Sequence, residues 1–320
     1  MPLIIALPKN LGLAAIFFLS AAVLGHAIMR RMGWQARRLE HILLCPMLGY
    51  GVTIYGIWAI GLLGLLNRLG FLILWLAAAI ALRRAALDYW LYIRDGWRQW
   101  IDWLKTSQEI KQNIIFWKLL ALAGLVIMVQ QIVSSHAPSM LRDDLSYHLY
   151  LPKAYLEMGR IQATPFDQAQ SFYPQMLNMG YIPMFAFGGE LAVKMINVLW
   201  GIILALLGAC LVLRAGGGGM AGLSTAIAVY ATPILLQISA TALTDMPAAS
   251  YATAGLLALL IHLEHAKNNK RNHLWLVAVL NSMALNKYTS WSYPLTTLLM
   301  LLWFERKNAK GFISSALSFT

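Results

Sequence analysis

A chain of 320 residues with 59% hydrophobic and 12% charged side chains is not composed like a soluble two-domain protein. Its mean hydropathy of +0.62 and repeated apolar runs of about 20 residues describe a polytopic membrane protein. The net charge of +12 is therefore tested first against membrane topology. No long polar domain, RNA-binding motif or Lys/Arg block supports nucleic-acid binding.

The apolar runs are continuous rather than alternating, so the expected architecture is all-α, a transmembrane helix bundle and not a β-barrel. In chain order the expected spans are 11–29, 42–66, 69–82, 114–133, 191–213, 220–238, 247–263, 274–286 and 289–303. The start of a tenth span, at 311–320, suggests a truncated chain. The first run is followed by Arg30 and Arg31 rather than by small residues, so it reads as a span and not as a signal peptide. Cys45 and Cys210 lie far apart within spans, without metal-like spacing, and no disulfide is expected.

Between spans three and four, "LDYWLYIRDGWRQWIDWLKTSQEIKQN" repeats Trp90, Ile93, Trp97, Trp100, Ile101 and Leu104 near helical period, with charges between them. This is the pattern of an interfacial amphipathic helix. The chain thus divides into N-terminal transmembrane helices (1–82), an interfacial segment (83–113) and a module at 114–320 built around a loop at 134–190. "RAGGGGM" at 214–220 lacks the Lys-Ser/Thr of a phosphate loop and reads as a tight turn.

Alternating the loops puts 30–41, 83–118, 214–219, 264–273 and 304–310 on one side. They hold four, seven, one, three and three basic residues, 18 of the 25 Lys and Arg. That side is expected to be cytoplasmic. Asp143, Asp144, Glu157, Asp167, Glu190, Asp245 and Lys287 then share the opposite face, where a common site is expected. The assignment matches a bacterial inner membrane with the site facing the periplasm or exterior.

The loop opens with "APSMLRDDLSYHLYLPKAYLEMGRI". Asp143 and Tyr147 are four residues apart, as are Asp144 and His148, so a helical turn stacks each pair on one face. Pro152 is placed to begin a short helix and Gly159 to end it. "MLNMGYIPMFAFGG" reads as a short helix lying on or dipping into the membrane. A carboxylate here can act as a general base. Two adjacent ones can share a cation, with Mg²⁺ or Mn²⁺ the expected ion, or simply cap and solvate a turn. Asp245 opens a helix with Pro247 in its first turn, and Lys287 with Tyr288 lies between two apolar runs. Capping and snorkelling are the alternative readings of these positions.

In this order the segments "DDLSYHLYLPKAYLEMGRI", "FYPQM", "ALTDMPAASY" and "ALNKYTSWSYPL" resemble the polyprenyl-phosphate-dependent glycosyltransferases of the C-type superfamily. That group includes the protein O-mannosyltransferases and the lipid A aminoarabinose transferase. The resemblance covers about 114–303. It departs from the group's pattern in the three helices that precede the match and in Phe172-Tyr173-Pro174-Gln175, which stands where relatives carry a Lys-Pro-Pro or His-Pro-Pro element.

The resemblance implies transfer of a sugar from a polyprenyl phosphate to an acceptor hydroxyl, with Asp143 as base and Asp144 holding the acceptor or a cation. It also implies that Lys287, with Arg142 or Lys153, balances the leaving phosphate, and that Asp245 and His148 orient the network. Tyr147, Tyr155 and Tyr173 are candidates to stack on sugar faces, with Tyr288 beside Lys287. The expected partners are the lipid-linked sugar, an acceptor (protein, lipid or polysaccharide) and the bilayer. A transporter or flippase, and a non-catalytic membrane scaffold, remain alternatives.

Overall fold

The computed structural model describes residues 3–164, 175–265, 270–287 and 290–305. Among them the chain is helical, without strands. We number the helices α1 (Leu3–Arg31), α2 (Arg38–Leu62), α3 (Arg68–Ala81), α4 (Arg83–Thr106), α5 (Gln108–Gln112) and α6 (Ile114–Ser134). There follow α7 (Tyr150–Met158), α8 (Tyr181–Gly188), α9 (Glu190–Arg214), α10 (Gly219–Tyr230) and α11 (Pro233–Ser239). The last three are α12 (Asp245–His265), α13 (Lys270–Ala284) and α14 (Ser292–Glu305).

Among the described residues five helices are long and apolar enough to cross a bilayer: Ala6–Arg31, Arg38–Leu62, Ile114–Ser134, Glu190–Arg214 and Asp245–Glu264. Two further spans arise if each bent pair, α3 with α4 and α10 with α11, counts as one. The fold is that of a multi-pass membrane protein. Four expected spans need correction. The 14 residues of α3 rise only about 21 Å, short of a hydrocarbon core of about 30 Å. At Leu82 the chain turns by 71° into α4, where the amphipathic pattern begins.

The span expected over 220–238 is broken by a 67° bend. Pro233 has no N–H and pushes the residue before it out of the helical region, and Thr232 has ψ 125°. In place of the last two expected spans stand the shorter apolar helices Leu274–Ala284 and Ser292–Phe304. The expected start of a span at 311–320 lies outside the described residues. The "RAGGGGM" segment does turn the chain between α9 and α10, with Gly216 at φ 92°, a conformation that suits glycine alone.

Two glycines let α1 and α2 touch along their backbones. A Cβ on Gly25 would fall 1.9 Å from the Cys45 carbonyl oxygen, and one on Gly49 would fall 1.7 Å from that of Ala21. Beside this crossing sits an aromatic core from four helices. Trp200 of α9 meets Phe18 of α1 at 5.1 Å, Tyr50 of α2 at 4.9 Å and Tyr251 of α12 at 5.5 Å between ring centroids. Buried hydroxyls need acceptors: Tyr251 donates to the Met47 carbonyl at 2.8 Å, and Tyr50 to that of Leu177 at 3.2 Å. The latter bond pins the 3₁₀ turn Met176–Gly180 into the bundle.

At one end of the bundle, buried Glu40 of α2 takes both arms of Arg214. Nε lies 2.9 Å and Nη2 2.6 Å from its two oxygens. The Arg37 N–H bonds the same carboxylate at 2.9 Å, and Arg214 also pairs with Glu264 of α12. This clamp joins α2, α9 and α12 at the end where the expected cytoplasmic loops meet. The loop at 134–190 belongs to the opposite end. Its helix α8 is no surface element, because Tyr181, Ile182 and Met184 are fully buried.

Candidate functional site

The acidic pair lies on a turn that departs from the expected α-helix. Residues Asp144–His148 form a π-turn, with the Leu149 N–H bonding the Asp144 carbonyl at 2.8 Å. The wider turn removes the i,i+4 stacking expected for Asp144 with His148. Such turns recur at functional sites. Helix α7 follows, with Pro152 in its first turn and Gly159 closing it at φ 71°.

The π-turn gives the two aspartates opposite environments. Asp144 is fully buried. Its Oδ1 accepts the Ala242 N–H at 3.1 Å and its Oδ2 the Ser139 hydroxyl at 3.0 Å. Burial nevertheless raises its carboxyl above the usual range, against those two donors and the Lys194 ammonium. Asp143 is exposed and makes no hydrogen bond or ion pair among the described residues.

The site is held from α9. Lys194, 1% exposed, gives its ammonium to the Ala137 carbonyl and lies 3.1 Å from Glu190. Glu190 in turn accepts the Ser139 N–H at 3.1 Å. One helical turn on, buried Asn197 donates to the carbonyls of Thr241 and Leu243, each at 2.7 Å, and accepts the Tyr181 hydroxyl at 3.1 Å. That fixes the turn whose Ala242 N–H meets Asp144. Ser139, Asn178 and Asn197 belong to no motif of the sequence, and Lys194 stands out there only as a charge within an apolar span. Polar residues inside an apolar span were the available signal, since a buried polar group requires partners.

His148 is buried, and its Nδ1 donates to Asn178 Oδ1 at 3.0 Å. That bond fixes the tautomer and leaves Nε2 an unprotonated acceptor with no hydrogen-bond partner among the described residues. Burial pulls the ring down to about 4, helped by the nearby Lys287 charge, while the Asn178 hydrogen bond and then Asp245 and Asp143 act the other way. Tyr147 is half-buried, with its ring 4.1 Å from that of His148. Asp245, at the start of α12, forms an ion pair with Lys287, which follows α13.

The loop, the α12 start and the α13–α14 junction thus meet at one end of the bundle. Arg142 is exposed beside Asp143. Lys153 is exposed and sits 3.9 Å from Glu157, one turn along α7. Tyr155 belongs to the core at 4% exposure and offers no free ring face. Tyr173, Tyr288 and Asp167 lie outside the described residues. For a shared Mg²⁺ or Mn²⁺ the two aspartates are not equivalent ligands. Each Asp144 oxygen already accepts one protein donor, so such an ion would rest chiefly on Asp143 and take its remaining oxygens from water and substrate phosphate.

An all-α, multi-pass membrane bundle with a buried polar network at one end is the class that fold and site define. No protein-family profile, curated protein or solved structure matches this chain.

Proposed function

We propose that the protein is a membrane glycosyltransferase that moves a sugar from a polyprenyl-phosphate donor to an acceptor hydroxyl on the extracytoplasmic face. The observation that carries this reading is the division of labour between the aspartates. Asp144 is buried and committed to Ala242 and Ser139, whereas the neighbouring Asp143 is exposed and uncommitted. A general base has to reach the proton that it removes, and Asp143 is the carboxylate free to do so.

In this mechanism Asp143 takes the proton from the acceptor hydroxyl as its oxygen attacks the anomeric carbon. The bond from that carbon to the phosphate oxygen breaks, and polyprenyl phosphate leaves as an anion. Lys287 supports the developing negative charge, with phosphate oxygens competing against Asp245 for its ammonium. Arg142 adds positive charge beside the base. His148, buried behind the π-turn, orients the network through its bond to Asn178. Lys153, already beside Glu157, contributes at the rim. The bilayer supplies the donor, since a polyprenyl chain partitions among the same apolar helices. No step requires a metal ion.

The test is transfer of label from a radiolabelled polyprenyl-phosphate sugar pool in membranes holding the wild type or Asp143→Asn. Transfer by the wild type that disappears in a folded, inserted Asn variant supports the assignment. Equal transfer by both removes Asp143 from the chemistry. Absence of transfer from every lipid-linked donor rejects the transferase reading in favour of a scaffold.

A further inference from the structure

The end of the bundle opposite Asp144 holds a second polar cluster, made by the close crossing of α1 and α2. His26 Nδ1 and His41 Nε2 are 2.9 Å apart. The ligand atoms of His26, His41 and Cys45 all lie within 4.8 Å of one another. The Cys45 thiol approaches Met29 Sδ at 3.7 Å. All four residues are buried, between 0% and 6% exposed. His41 and Cys45 are one turn apart on α2, and His26 and Met29 are one turn apart on α1, so each helix presents one imidazole and one sulfur. Sequence spacing hid this set, because it joins two helices across a turn.

We propose that this cluster is a binding site for Cu(I), with His26, His41 and Cys45 as ligands and Met29 as a weaker thioether donor. The geometry is close to what one ion needs. Two nitrogens each about 2.0 Å from a metal lie about 3 Å apart, as these do. Closing the sulfur onto the same ion asks for a side-chain shift of roughly 1 Å, given metal–sulfur bonds of about 2.3 Å.

Ligand softness and charge select the ion. Thiolate and thioether donors favour Cu(I) over harder cations. One thiolate with two neutral imidazoles makes a Cu(I) site electrically neutral. Zn²⁺ on the same ligands would leave a net positive charge within two apolar spans that already carry Arg30 and Arg38, and an uncompensated buried charge is costly. A cavity of about 410 Å³, lined by His26, His41, Tyr92, Arg30 and Asp88 among others, leads to the cluster. Arg30 and Asp88 form an exposed ion pair at its lining. Cu(I) binds as the Cys45 thiol releases one proton to solvent through this cavity, with no change of oxidation state. The bound ion ties α1 to α2 at the end remote from Asp144.

The experiment is anaerobic titration of the purified, detergent-solubilised chain, carrying a tag free of histidine, against the coloured Cu(I) complex of bicinchoninate. Wild type and Cys210→Ser should each withdraw one equivalent of copper. Cys45→Ser and His41→Gln should bind at least about tenfold more weakly, and Met29→Leu should weaken binding by less. Copper-edge X-ray absorption of the loaded wild type should show mixed nitrogen and sulfur ligation. Failure of the wild type to withdraw copper would overturn the proposal. So would binding that survives both Cys45→Ser and His41→Gln, or ligation by oxygen and nitrogen alone.

Discussion

The backbone N–H of Ala242 lies 3.1 Å from Asp144 Oδ1, a bond that spans 98 residues of sequence. It ties the loop after α6 to the turn before α12. The two segments therefore share one fate: whatever displaces Asp144 also displaces the Asp245 end of α12 and its partner Lys287.

That bond separates the two aspartates experimentally. Asp144→Ala leaves the buried Ala242 N–H without an acceptor, at a cost of about 1–3 kcal/mol before the loss of Ser139 is counted. Asp143→Asn changes an exposed side chain and should stay within about 0.5 kcal/mol of the wild type. Thermal unfolding in detergent should show a clear fall for the first and almost none for the second. A matching fall for Asp143→Asn would mean that Asp143 is structural.

Asn197 should be as sensitive as Asp144, although it touches nothing outside the protein. Its amide satisfies the Thr241 and Leu243 carbonyls at once. Asn197→Asp keeps the shape but removes both donors and sets a carboxylate against two carbonyls. The variant should lose about 2–4 kcal/mol, read as a lowered midpoint in a chemical or thermal melt. Indifference to this change would show that the 241–243 turn is held by other means.

His148 gives the fold an acid limit. In the native protein burial holds the ring down to about 4, against about 6.5 when unfolded. Between these values the unfolded chain binds the extra proton, so stability falls as pH drops from 6.5 towards 4, by up to about 1.4 kcal/mol per unit. Above 6.5 the group contributes no pH dependence. Asp144 acts in the opposite sense, because its raised carboxyl loses stability as pH rises through its native value. Melts from pH 4.5 to 7.5 should therefore be compared between wild type and His148→Gln. The difference between them should shrink towards acid, and a constant difference would refute the neutral His148.

At the other end, Glu40 and Arg214 are 2% and 4% exposed. Removing one partner strands a buried charge, so Arg214→Met or Glu40→Leu alone should cost about 3–5 kcal/mol. The double variant should recover much of that loss, since two apolar side chains bury well where a pair of charges had to be desolvated. Additive losses in the double variant would show that the clamp acts through Arg37 and Glu264 instead.

Much of this was legible in the chain. Continuous apolar runs announced helices, and the placement of acids and basic residues correctly brought Asp144, Asp245 and Lys287 to one end. Gly159 and "RAGGGGM" marked turns through the conformations that only glycine enters freely. The π-turn was not legible, because Asp144 and His148 have the same spacing in an α-helix. Lys194 was visible as a charge in an apolar span, but its partners and those of Asn197 were hidden because they form only once the bundle packs. The break at Pro233 was legible in principle, but the hydropathy of 220–238 carries smoothly across it. The shortness of α3 was legible in the length of its apolar run, 69–82, whereas the 71° turn into α4 was not.

The most direct measurement is single-turnover transfer by the purified chain in liposomes that contain a synthetic polyprenyl-phosphate sugar and a membrane extract as acceptor source. The reading predicts label in acceptor and free polyprenyl phosphate in equal amounts for the wild type. It predicts neither for Asp143→Asn with an unchanged melting temperature. Product formation by that variant at the wild-type rate would contradict the assignment of the base. Complete absence of product from the folded wild type, across the lipid-linked sugars tried, would contradict the transferase itself.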